Sequence, residues 1–429
     1  MPGIRSARVF RAACAALQSG GEMPAQLTAA KGASLKACGV IGARFEYPNT
    51  QIDAAEPVTP GAVTLIGIPV AQHCLVKGQM FKRKGIDGQD CAIGFEMRLP
   101  LDCTDFGYGA VGKLTPMAKA MIATAYGKGP DRSYIGGCSN GGRHTMVAAS
   151  RYGDQYDGYL VGAPGYRLPN ATLAQLWAAP KWNALADSSA TVNHPFAPNV
   201  KLPDLGSAFT APERQTVAQA VLQKCDALDG ATDGLVQDVK ACQSAFDLNR
   251  DVATFSGARA GQCLTAAQKT LVGQVFAGSK SPAGQLICSS FPWDTGISTP
   301  NWASWKFVNS QVLDPGAGHI FMSPARSIKA LDNNDLDEGY RAIYANLAPF
   351  GESADAAITP PGKDNPVNLA PLRARGAKML MYHGVSDAIF SANDTAAWWD
   401  RLNHDPADRL QQAFAAFQLN RFPMGSQRV

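Results

Sequence analysis

The 429 residues are enough chain for roughly two or three domains at ~150 residues each, and ample for a large buried core. Apolar residues make up 46%, and 42 Gly with 28 Pro is neither collagenous nor disordered composition. The formal net charge is only +4 with no basic tract, which argues against a nucleic-acid partner.

No run approaches the ~18 consecutive apolar residues of a membrane-spanning helix, so no membrane partner is expected. Near the N-terminus Arg5, Arg8 and Arg11 precede a short apolar run, Ala12 to Leu17, which falls below the ~7–15 residues of a signal-peptide core. The ten cysteines (14, 38, 74, 91, 103, 138, 225, 242, 263 and 288) are scattered, with no Cys-x-x-Cys pair. That argues against a zinc ribbon or thioredoxin-type site and favours disulfides formed in an oxidising compartment over buried free thiols.

In chain order, Ile93 to Leu99 alternates as a strand closed by Pro100. Thr115-Pro116 reads as a helix start, with Thr as N-cap and Pro in the first turn. Ser133 to Gly136 reads as a strand, Gly137 to Gly142 as a tight turn, Arg143 to Tyr152 as a helix and Asp157 to Val161 as a second strand. Strand, turn, helix and strand within thirty residues form a βαβ unit of a parallel sheet. Residues 166–362 lose that alternation and read as an insertion. The sheet pattern returns at Lys378 to His383, followed by helices around Ala396–Leu402 and Pro406–Phe417.

Gly137-Cys138-Ser139-Asn140-Gly141 fits G-x-S-x-G between a strand and a helix. Such a turn strains the serine backbone and lifts its hydroxyl above the sheet, and side chains at the flanking glycines would collide with neighbouring elements. Ser139 is the candidate nucleophile, and the backbone N–H of Asn140, at the helix start, is the candidate oxyanion donor. Asp387, just past the late strand, is the candidate acid; its competing reading is a turn-forming cap. The base has no clear candidate. His404 alone follows Asp387 and reads as a surface residue, His383 as structural, and His144 points away from Ser139. His73, His194 and His319 lie away from the sheet's C-terminal edge.

Between Cys225 and Cys242, Asp226, Asp229 and Asp233 are spaced by three and four residues with two glycines. Such a loop can gather oxygen ligands on one hard cation, and calcium is the expected ion. A Cys225–Cys242 disulfide would staple it; a solvated Asp/Gly turn is the alternative.

Together, Gly136 to Arg143, Tyr156 to Tyr159 with Gly162-Ala163-Pro164, the Cys225–Cys242 loop, and Tyr382-His383-Gly384 with Asp387 resemble the tannase and feruloyl esterase family of α/β-hydrolases. The resemblance covers roughly residues 91–422. It implies an α/β-hydrolase core of mostly parallel sheet in residues 1–165 and 363–429, with a lid inserted at 166–362. It also implies export to the periplasm or medium, and hydrolysis of a small aromatic ester such as a ferulate or gallate. Ser139 would form an acyl-enzyme and Asp387 would orient the base. A structural calcium would be held by the Asp226, Asp229 and Asp233 side chains and the Ala231 and Leu235 carbonyls.

The sequence departs from the family pattern in three places. Family members carry His-Cys near the C-terminus, the Cys bonding the residue equivalent to Cys138, whereas here Pro423-Met424-Gly425 is followed by neither. After Leu99-Pro100 a Gly-rich oxyanion loop and one core strand are missing, and Cys103 stands where a Trp is expected. Phe255 replaces a lid Cys, leaving Cys263 unpartnered unless it meets Cys288. These departures imply a damaged or mis-called gene and an esterase that is poor or inactive as written. The alternatives are a non-catalytic aromatic-ester binder and, less favoured, a peptidase or acyltransferase of the same fold. Trp177, Trp182, Trp293, Trp302 and Trp305 could stack a substrate ring or pack as ordinary core.

Overall fold

The computed structural model describes residues 39–403 apart from 60–61, 63, 66–67, 70–72, 85–89, 95–107, 166, 256–260, 281–283, 285, 323–325 and 351–368. His404, Cys103, the expected Pro406–Phe417 helix and the Pro423–Gly425 stretch lie outside the described residues, as does the expected strand beyond Gly94.

The expected βαβ unit is present. Strand Tyr134–Cys138 leads into helix Asn140–Arg151 and then strand Gly158–Gly162. Strand Lys378–Tyr382 lies on the other side of Gly158–Gly162, and all three run parallel. In-register rows put Ile135, Tyr159 and Met379, then Gly137, Val161 and Met381, on one face. On that face Tyr159, Val161 and Met381 are buried in one cluster with Met146 and Val147 of helix Asn140–Arg151 and Trp398 of helix Ala392–Asn403. The opposite face carries Tyr134, Leu160 and Leu380, exposed by 71%, 45% and 37%.

The N-terminal part forms an antiparallel sheet of Thr50–Val58, His73–Lys84 and Asp90–Gly94. Met80 of this sheet and Phe45, which precedes it, cluster with Met117 and Ala125 of the next helix. That helix runs Ala110–Tyr126 and so begins a turn before the expected Thr115. Pro116 lies inside it, and Thr115 is not its N-cap: the Thr115 hydroxyl donates to Val111 O at 2.9 Å and meets the Tyr156 hydroxyl. Burial of Val111 and close packing of Gly112 against the Tyr152 ring hold the added turn. Tertiary contact thus outweighs the bond lost at the proline.

Residues 168 to 343 build a separate helical core. Helix Leu168–Leu185, capped helices Ala211–Cys225 and Ala266–Phe276, and several short turns enclose an aromatic cluster. Within it Trp182 stacks on Phe209 and Trp293 stacks on Phe276 at 3.9 Å. A hairpin, Thr191–His194 with Ala197–Pro203, projects from it. Among the described residues no helix is long and apolar enough to cross a membrane.

Candidate active site

Ser139 sits at the strand-to-helix turn with φ 59° and ψ −119°, a positive φ that a residue with a Cβ rarely adopts. Three backbone bonds hold the strain. Ser139 N donates to Gly162 O at 3.0 Å, and Ser139 O accepts from Arg143 N and Gly165 N at 3.0 and 3.2 Å. Ser139 itself is exposed. A Cβ on Gly137 would stand 2.6 Å from the Gly141 carbonyl carbon, as expected for a flanking glycine. Gly141 departs from that expectation, since a Cβ there meets open space. The crowded position is Gly142, whose Cβ would overlap Gly162 O and lie 3.0 Å from Pro164 Cα.

Asn140 opens the helix directly after Ser139, so its N–H is among the first amides, which have no intrahelical acceptor. Beneath it Arg143 is fully buried. Its Nε donates to Asn140 Oδ1 at 2.8 Å and its Nη2 to His144 Nε2 at 2.7 Å. Burial pulls the Arg143 guanidinium down to about 9. Burial first, and then the Arg143 charge, hold His144 down to about 4. His144 is therefore a neutral acceptor at ordinary pH.

Asp387 follows strand Lys378–Tyr382, so it and Ser139 both lie beyond the C-terminal ends of the parallel strands, with one strand between. At ~4.8 Å per strand the two strand ends stand about 10 Å apart, room for an imidazole between the side chains. One oxygen of Asp387 makes the turn of its competing reading, and the other faces a buried structural histidine. Oδ1 accepts from Ile389 N and Phe390 N, both at 2.9 Å, which makes the turn. Oδ2 lies 3.5 Å from His383 Nε2.

His383 is buried and structural. Its Nε2 donates to the Phe390 carbonyl at 2.9 Å, so Nδ1 accepts from the Thr395 hydroxyl at 2.7 Å. His194 Nδ1 accepts from Phe196 N, and His319 is exposed on helix Ala317–Phe321. Among the described side chains no histidine hydrogen-bonds Ser139.

The helical part and the loop that carries Asp387 meet at a narrow cleft lined by Phe276, Phe291, Ile297, Trp302, Asp294 and Asp387, among others. Of the five tryptophans, Trp302 is the one on this cleft, and Trp182 is core. The Ser386 hydroxyl donates to Asp294, and Asp394 accepts from Arg167 at 2.9 Å and from Ser289. Sequence reading assigned none of these docking residues a role, because they are distant in sequence and match no motif.

Cys225 and Cys242 form the expected disulfide, with Cα atoms 5.1 Å apart. Cys138 is exposed and forms no disulfide, and Cys263 and Cys288 are not joined to each other. In the loop, Asp226 Oδ1 accepts from Asp233 N and Gly234 N, Asp229 Oδ1 from Ala231 N, and Asp233 Oδ1 from Leu235 N. Among the described residues no three acidic, His or Cys side chains come together as a metal cluster. The loop's donors are nonetheless all hard oxygens, and an amide-bound carboxylate oxygen keeps a further lone pair. Their chemistry fits calcium.

The family model for tannase and feruloyl esterase matches residues 83–419. The chain belongs to this family. As a member of the tannase and feruloyl esterase family it is 28% identical to a mono(2-hydroxyethyl) terephthalate hydrolase of Piscinibacter sakaiensis, over 83% of this chain and 74% of that one. It is 26% identical to a probable feruloyl esterase B-1 of Aspergillus oryzae, over 71% of this chain and 51% of the relative. It thus spans about half the length of the feruloyl esterase relatives. The fold matches feruloyl esterase B from Aspergillus oryzae with a TM-score of 0.60 at 18% identity, covering 85% of this chain and 78% of that one. It also matches tannin acyl hydrolase from Aspergillus niger with a TM-score of 0.61 at 16% identity, covering 88% and 80%. Both similarities place the chain in the α/β class with the expected parallel core.

Proposed function

We propose that this chain is a serine carboxylic-ester hydrolase for small aromatic esters, of feruloyl or galloyl type. The observation that carries the proposal is the strained, exposed Ser139 at the start of helix Asn140–Arg151, facing the same sheet edge as Asp387. Ser139 Oγ attacks the ester carbonyl, the Asn140 N–H donates to the oxyanion, and collapse of the tetrahedral intermediate expels the alcohol and leaves an acyl-serine. Water then releases the acid. Asp387 orients and stabilises the imidazolium that carries the proton between these steps. Among the described side chains no histidine hydrogen-bonds Ser139, so His404, the one histidine after Asp387 in this sequence, is the base to test.

The test is hydrolysis of methyl ferulate and methyl gallate with Ser139→Ala as control. Turnover lost in Ser139→Ala and in His404→Ala supports the assignment. A folded chain with no turnover, and no Ser139 labelling by an activated phosphonate, favours instead the non-catalytic aromatic-ester binder.

We further propose a structural calcium ion on the Asp226, Asp229 and Asp233 side chains and the Ala231 and Leu235 carbonyls. It would brace the lid rather than take part in chemistry. Three carboxylates within eight residues of one disulfide-closed loop support this reading. Calcium should raise the unfolding temperature and EDTA lower it, and Asp229→Asn should abolish the response; an equal Tm with and without calcium overturns the site. The disulfide supports export to an oxidising compartment.

A further inference from the structure

Arg143 has no part in the reaction derived above, yet it is the charged side chain buried closest to the nucleophile in sequence. A fully buried guanidinium forfeits its hydration, which is costly unless its donors are used. Its use here is specific. Its backbone N closes the first helical turn on Ser139 O at 3.0 Å, and its Nε holds Asn140 Oδ1 at 2.8 Å. A guanidinium only donates, so the oxygen end of the Asn140 carboxamide must face it. Asn side chains otherwise fold back onto nearby backbone amides and compete for them. At a helix start those amides are the ones an oxyanion would use.

We propose that Arg143 is a positioning residue of the oxyanion site. It holds the Asn140 carboxamide oxygen away from the first helical amides, keeping the Asn140 N–H free for the developing oxyanion. It also sets a positive charge one helical turn behind that site, in surroundings where salt screens little. This inference rests on the ester-hydrolase reading.

The test uses Arg143→Met and Arg143→Lys in the full chain, with Ser139→Ala as control. One readout is the rate of Ser139 labelling by an activated aryl phosphonate, whose transition state carries an oxyanion. The other is the affinity for intact methyl ferulate, measured in Ser139→Ala with and without each Arg143 change. Arg143→Met should slow labelling at least about tenfold, as loss of oxyanion-site support does, with ester affinity within twofold. Arg143→Lys should label well at neutral pH and lose that rate at alkaline pH, at a point below the ordinary lysine value of ~10.4. A purely structural role would move labelling and ester affinity together and give no new alkaline limb.

A folded Arg143→Met protein that labels at the wild-type rate overturns the inference. Should Arg143→Met fail to fold, an Arg143→Lys profile identical to wild type overturns it equally. Wild-type labelling no faster than Ser139→Ala sinks the esterase reading and this inference together. Ser139-dependent labelling indifferent to Arg143 sinks the inference alone.

Discussion

Ser139 carries a backbone cost that its neighbours offset. A non-glycine residue at φ 59° is strained by about 1–3 kcal/mol, and the bonds to Gly162, Arg143 and Gly165 keep it there. His144, five residues on, offers a pH test at the same scale. Burial and the Arg143 charge hold it at about 4, below its ordinary 6.5. A depressed histidine contributes stability that is fully present above the unfolded value and lost as pH falls through the folded one. The protein should therefore lose roughly 3 kcal/mol between pH 6.5 and 4 through this residue, taking ~1.4 kcal/mol per pKa unit. His144→Gln should flatten that acid limb when Tm is followed against pH; an unchanged limb would assign it to other groups.

The βαβ unit shows how far an element-level motif can be trusted. Its order was legible, because Gly-rich turn chemistry and the apolar runs agree, but its boundaries fall one to three residues away, the helix starting at Asn140 and not at Arg143. Which glycine is indispensable was not legible, since that depends on the strand and loop packed against the helix. Gly142→Ala should cost about 1–3 kcal/mol as an overpacked position, because its Cβ runs into Gly162 and Pro164. Gly141→Ala, facing open space, should be neutral or stabilise by up to ~1 kcal/mol. Urea unfolding of the two variants checks the difference, and equal midpoints would contradict it. The early start of helix Ala110–Tyr126 has the same origin: a local Thr-Pro signal was overruled by the packing of Val111 and Gly112.

At the scale of the molecule, the hydrophobic core around the parallel sheet and the core of residues 168–343 meet through Ala388, buried in the latter, and through polar contacts. Asp394 of the core helix accepts from Arg167 at the entry to the insertion and from Ser289 within it. Ser386, beside Asp387, donates to Asp294. Asp394→Ala should leave Arg167 and Ser289 without this acceptor and cost about 1–3 kcal/mol. Limited proteolysis should then cut residues 168–343 faster, while hydrogen exchange of helix Asn140–Arg151 stays slow. Uniform loss of protection would mean the two cores unfold as one. The exposed row Tyr134, Leu160 and Leu380 on the far face of the sheet is a property of this arrangement that no residue in the sequence announces.

The sequence by itself picked out Ser139, the amide after it and Asp387 as candidates, and it gave the disulfide and the order of the core elements that the structure shows. Each rests on a local rule: a turn that needs glycine, a helix start with free amides, an alternation of apolar residues. The tertiary structure alone decided that Asp387 divides its oxygens between a turn and His383. It alone showed that Arg143 is clamped beneath Asn140 and that Asp294 and Asp394 dock the insertion on the core. Those facts join residues up to 227 positions apart. Periodicity and spacing report only on neighbours along the chain, whereas burial and hydrogen bonding at such separations are set by how the packed elements meet.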